Sequence, residues 1–144
     1  MKKILLIIIF CIVAITGCNS KEENKNIDNI KKVEDSVKII IDNKEYTITL
    51  QDNKTVNEFI NMLPLEIEMN DLNNNEKYTY LDKEFLINSI NPKHINKGDV
   101  MLFGNNCLVI FYESFDTSYS YTKIGHIDDL PDLGSGKIKV RIEK

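Results

Sequence analysis

Residues 98–112 read GDVMLFGNNCLVIFY, two apolar runs folded around a Gly-Asn-Asn break, and this stretch decides the fold. Gly98-Asp99 opens a strand over Val100 to Phe103, Gly104-Asn105-Asn106 makes the turn, and Cys107 to Tyr112 returns as an almost wholly apolar strand. Runs this apolar belong in a core. The hairpin is therefore expected at the centre of the core.

Toward the N-terminus the same period of two recurs. Val37, Ile39 and Ile41 alternate with Lys38 and Ile40 before Asp42-Asn43-Lys44, and Tyr46, Ile48 and Leu50 alternate with Thr47 and Thr49. Residues 37–50 thus predict a hairpin with one buried face. A helical period follows: Val56, Phe59, Ile60 and Leu63 fall at i, i+3, i+4 and i+7, Thr55 and Glu58 stand in capping-box spacing, and Pro64 ends the run. Period two returns with Leu65, Ile67 and Met69, after which Asp71 to Asn75 reads as a polar loop and Tyr78 and Tyr80 as the next strand. Residues 82–97 predict a long irregular connection, a kind of segment that often carries function. Beyond the central hairpin, strands are predicted at Thr122 to Ile127 and Lys137 to Ile142, separated by a loop with Pro131, Gly134 and Gly136. Many short strands, frequent turns and one plugging helix point to a mainly β fold, a closed or nearly closed barrel.

Three groups of residues carry a family resemblance. They are Leu63-Pro64-Leu65 with Glu68, Asp71 and Glu76-Lys77-Tyr78; Gly98-Asp99-Val100 with Leu108-Val109-Ile110-Phe111-Tyr112; and Tyr119-Ser120 with Lys123-Ile124-Gly125-His126-Ile127. In this order and spacing, over about residues 37–143, they resemble small bacterial cyclophilin-like proteins. The resemblance implies a compact cyclophilin-like closed β-barrel over residues 37–144 with one short capping helix. It implies little mechanism, because members of this family are largely without an assigned activity. True cyclophilins are peptidyl-prolyl isomerases that bind proline in an apolar pocket while an arginine hydrogen-bonds the proline nitrogen and favours the twisted transition state. The one arginine of this sequence, Arg141, falls in the last predicted strand, and the Phe-His-Arg and Gln-Gly-Gly-Asp-Phe segments of the enzymes have no counterpart. No catalytic residue is assigned, and isomerase activity stands as the alternative.

Other chemistries find no constellation. His94 and His126 have no Cys or Glu at metal-ligand spacing, and Asp128-Asp129 with Asp132, or Asp71 with Glu76, lack the ligand spacing of a calcium loop. There is no phosphate-cradling Gly-rich loop, so neither a metal nor a cofactor is expected. Cys107 opens an apolar strand, where a thiol serves as a small buried hydrophobe. What remains is the aromatic run Phe111, Tyr112, Phe115, Tyr119 and Tyr121, leading to His126. Tyr119 and Tyr121 lie in a stretch too polar to be buried entire, so Tyr119, Tyr121, His126 and Glu113 form the candidate groove for a peptide or small-molecule ligand. Glu113 and Asp116 would bias it toward neutral or basic ligands. Plain fold-closing contacts are the alternative.

The first eighteen residues speak to location. Lys2 and Lys3 precede an apolar run from Ile4 to Ile15, too short for a spanning helix, which needs ~20 apolar residues. Ile15-Thr16-Gly17-Cys18 resembles the lipobox of bacterial lipoproteins, which implies a signal peptide over 1–17 and a diacylglyceryl Cys18; a plain cleaved signal is the alternative. Two long acyl chains would contribute on the order of 20 kcal/mol of membrane affinity. Residues 18–36, rich in Lys, Glu, Asn and Asp, read as a flexible polar tether with a root-mean-square span of roughly 25 Å. Loss of Lys2 and Lys3 would move the formal charge of −4 by two units to −6, and an acidic surface excludes nucleic acid as a partner. With Cys11 in the signal and Cys18 lipidated, Cys107 alone remains, so no disulfide forms within one chain.

These readings make the expected protein a lipid-anchored binding or accessory module on the extracytoplasmic face of the cell membrane. A folding factor or isomerase is the first alternative, and a structural module that recruits a partner protein the second. No feature of the sequence specifies an oligomeric state.

Overall fold

The first hairpin sets the frame. Ser36–Ile41 (β1) and Lys44–Leu50 (β2) are antiparallel, and Asp42 and Asn43 between them take positive φ of 46° and 71°. That pair of left-handed residues twists a two-residue turn the way the strands twist, and Asp and Asn tolerate it better than most side chains. Val37, Ile39 and Ile41 point inward and are buried, as the alternation predicts. The computed structural model describes residues 35–144. The expected signal peptide, Cys18 and the expected tether as far as Glu34 lie outside the described residues, and Ser36, expected at the tether's end, is already part of β1.

Helix α1 spans Lys54–Asn61 and lays Val56, Phe59 and Ile60 into the barrel core, with Leu63 packed partly buried against the same cluster. The cap differs from the expected capping box. Asn53 is the N-cap, its side-chain oxygen accepting from the Val56 N–H at 2.9 Å, while its amide donates to the Lys123 carbonyl. Thr55 is too deep in the first turn to cap: it is buried, and its hydroxyl donates to the Leu86 carbonyl instead. Glu58 faces outward to Lys83 at 3.4 Å.

Leu65–Leu72 (β3) and Glu76–Tyr80 (β4) form the next hairpin. The polar loop expected over 71–75 is shorter, because Asp71 and Leu72 continue the ladder opposite Lys77 and Glu76, leaving Asn73 and Asn74 at positive φ to turn the chain. The central hairpin is Asp99–Phe103 (β6) and Cys107–Phe111 (β7) around Gly104-Asn105-Asn106. Between β4 and β6, the long connection contains His94–Ile95 (β5), which pairs with Phe115–Asp116 (β8). Thr122–Ile127 (β9) and Ile138–Glu143 (β10) complete the set.

Eight strands close in the order β1-β10-β3-β4-β7-β6-β9-β2, every pair antiparallel. Closure at β2–β9 depends on Gly125, since a Cβ there would stand 2.4 Å from the Thr49 carbonyl oxygen. The fold is therefore a mainly β closed barrel with one short helix. Its interior is filled by inward residues of the strands and by the helix face. One interior position is charged: Lys77 exposes none of its side chain, and its ammonium donates to Asp71 at 2.7 Å and to the carbonyls of Gly134 and Gly136. The Tyr112 hydroxyl donates to the same Asp71 oxygen at 2.6 Å. Together these bonds tie the 130–137 loop to the barrel.

Candidate functional site

A second apolar layer lies on the outside of the barrel. Alternation along β7 sends Leu108 and Ile110 inward and Cys107, Val109 and Phe111 outward, yet all five are buried. The outer face is covered because two excursions return over it. Ile95 and Phe115 meet in the β5–β8 ladder, Ile90 bridges to Tyr121, and a 2.6 Å contact between His94 Nδ1 and Asp116 Oδ1 clasps them. Ile95, Met101, Cys107, Val109, Phe111 and Tyr121 make a cluster of their own, with Tyr78 and Phe115 at its edge. Strands and covering segments meet here, and the cover is incomplete.

The gap is a groove of about 380 Å³ along the outward side of β4. Cys107 and Val109 form its floor, Glu76, Tyr78 and Tyr80 one wall, Asn73 and Asn75 of the β3–β4 turn one end, and Phe103, Phe115, Tyr119 and Tyr121 the other side. The rings brace one another: Phe103 meets Tyr119 edge-on at 5.9 Å and Tyr121 at 5.6 Å, Tyr78 meets Tyr80 at 6.1 Å, and Phe111 holds Tyr121 from behind at 5.5 Å. Such contacts fix ring orientation while leaving the rim faces open. Tyr80 is 67% exposed and Tyr119 63%.

Two polar groups stand out in this wall. Burial, reinforced by the nearby negative charge of Asp71, raises the pKa of the Glu76 carboxyl, and no cation or hydrogen-bond donor is paired with it among the described residues. Beside it, the Asn75 side-chain oxygen is buried without a hydrogen-bond partner. Buried polar atoms are rarely left so, because each unmade bond costs about 1–3 kcal/mol. Among the described residues, no lysine, arginine or histidine lines the groove. Cys107 is no nucleophile there, since burial and then Glu76 push its thiol up to about 11.

The structure divides the four residues of the sequence-based site. Tyr119 and Tyr121 share the groove. His126 lies elsewhere: the register sets it opposite Asp99, and its Nδ1 approaches Asp99 Oδ1 at 3.0 Å. The same Asp99 oxygen receives Lys123 at 3.0 Å, and the other accepts from the Asn96 N–H. Burial works to raise the pKa of Asp99, but these three partners outweigh it and hold the carboxyl below its ordinary value. A smaller hollow, about 210 Å³, opens beside Asp99 and Lys123, with Tyr121 as the wall between it and the groove. Glu113 is exposed and is not part of the groove wall; the acid there is Glu76. Glu76, Tyr78 and Tyr80 had one sequence signal, the alternation that puts them on a single face of β4; that this face is the outer one follows only from the burial of Lys77 in the structure. Asn75 had none.

A larger hollow of about 540 Å³ lies against β1, β3 and β10. It is shallow, has no aromatic wall, and its arginine is already paired: Arg141 donates to Glu66 at 2.9 Å and to Glu143 at 2.8 Å. Arg141 is thus engaged there and does not reach the aromatic groove's wall.

The sequence profile of a family described as the cyclophilin-like family matches residues 39–143. No curated protein and no solved structure matches the chain.

Proposed function

Because the chain belongs to the cyclophilin-like family, we propose that its barrel is a binding module, held on the extracytoplasmic face of the cell membrane by a lipidated Cys18. The observation that carries this reading is the open groove with aromatic walls between β4 and the 113–121 segment. Its volume suits one or two side chains of a peptide, and rigid, two-torsion rings offer contact area at little entropic cost. An open groove supports a ligand-binding role over a module whose concave site is filled by its own side chains. A prolyl isomerase would use a cation at the bound amide, and Arg141 is held by Glu66 and Glu143 instead.

The full-length protein in detergent micelles, offered a set of short peptides that differ at one central position, is expected to retain those with an apolar stem at that position. Tyr119→Ala should weaken retention about ten-fold, the cost of removing one aromatic contact at a binding surface. Retention unaffected by Tyr119→Ala and by Tyr80→Ala would refute the groove. A protease-coupled assay on X-Pro peptides decides the alternative: rate acceleration that scales with protein and vanishes on unfolding would make the domain an isomerase.

A further inference from the structure

The groove presents acceptors and π-faces, and no cation among the described residues meets them. Glu76 brings a carboxylate and Asn75 a carbonyl oxygen, both without partners among the described residues, and Tyr78, Tyr80, Tyr119 and Tyr121 bring electron-rich rings. Asp71, behind Glu76 on β3, adds to the negative potential. A cation over such rings is attracted to their faces, and a charged donor strengthens its hydrogen bonds to a carboxylate. A bare metal ion does not fit. One carboxylate and one amide oxygen fall short of the 6–8 oxygens calcium takes, and no group of three or more metal-ligating side chains occurs among the described residues. The complementary group is an organic cation with N–H donors on an apolar stem.

The rim tells where that cation comes from. Tyr80, Phe103, Leu72 and Tyr119 are all exposed large side chains along one groove. A free amine would fill the floor and leave these rims in water, whereas a flanking backbone would cover them. Building on the binding role proposed above, we infer that the groove takes the basic side chain of a polypeptide, its charged end hydrogen-bonded to Glu76 and Asn75 and its stem between the tyrosines.

The test uses the full-length protein in detergent micelles and fluorescently labelled pentapeptides, alike except for a central lysine, arginine or norleucine. Anisotropy titration is expected to show a basic peptide binding at least about ten-fold tighter than the norleucine one, as a charge-assisted hydrogen bond would give. Glu76→Gln should erase that difference, Asn75→Ala should reduce it, and Glu45→Gln, an exposed acid outside the groove, should leave it intact. Equal binding of all three peptides, lost in Tyr119→Ala, would overturn the inference and keep the groove. Binding of none of them would overturn both. If n-butylamine competes as well as the lysine peptide, the ligand is a free amine and the polypeptide is refuted.

Discussion

Lys77 shows how one side chain governs a whole end of the barrel. Its ammonium is dry, and three acceptors, with the Tyr112 ring face 5.0 Å away, replace the water it gave up. Removing one partner of such an arrangement costs more than the pair contributes, because the other is left uncompensated. Lys77→Met is therefore expected to lower unfolding free energy by about 3 kcal/mol in urea titrations. The hydrogen bonds from Lys77 and then Tyr112 hold Asp71 below the usual carboxylate range. A depressed carboxyl contributes stability above its unfolded pKa and loses it as pH falls through the folded one. The gap between wild type and Lys77→Met should accordingly narrow in strong acid. Glu76 carries the opposite sign. Its pKa is raised, so the fold holds this proton longer than the unfolded chain does, and stability falls as pH climbs through the raised value. Glu76→Gln should melt above wild type at neutral and alkaline pH, with the difference closing in acid. The sequence located Tyr119 and Tyr121 by their polar surroundings, but Glu76 and Asn75 become a site only once the register of β3 with β4 sets them at the groove. His126 falls outside the groove for the same reason, since its pairing with Asp99 is a fact of register and not of spacing.

Elements with a strong period are legible in the sequence alone. The two predicted hairpins, the helix and the strands after residue 121 all occur, because alternation and the i, i+3, i+4 pattern record which face is buried. The helix cap is not legible in this way, because Asn53 and Thr55 both have the chemistry of a cap and only the burial of Thr55 against Leu86 separates them. Asn53→Ala should cost about 1 kcal/mol in thermal or urea unfolding, while Thr55→Ser, which keeps the hydroxyl donor, should cost less. Strands β5 and β8 leave no trace in the sequence, as two residues have no period, and their existence depends on the excursions reaching the outer face. At the seam between β2 and β9, Gly125→Ala would press a methyl into the Thr49 backbone and the Ile48 side chain. The expected loss is about 2 kcal/mol, with faster amide exchange on β2 and β9 than on β3 and β4.

At the largest scale, the described residues form a barrel with an extra outer layer, and that layer makes the candidate site. Closure satisfies the backbone of all eight strands and leaves no edge, so contacts with a partner must use side chains and the covering segments. The proposed lipid anchor is tested at this scale. Wild type is expected to partition with membranes and into the detergent phase, and Cys18→Ala to move to the soluble fraction; a variant that still fractionates wholly with membranes would sink the anchor. Residues 82–97 and 113–121 cover the outer face without belonging to the closed ladder. Their exposed positions, among them Leu86, Ile87, Ile90 and Tyr119, can vary without disturbing strand order, while the buried Phe85 and Ile95 anchor the cover. The groove therefore has one wall fixed by the closed ladder and one drawn from a covering segment, so a directed library at the exposed positions of 113–121 would reshape a single wall while Glu76 and Asn75 stay where the ladder sets them.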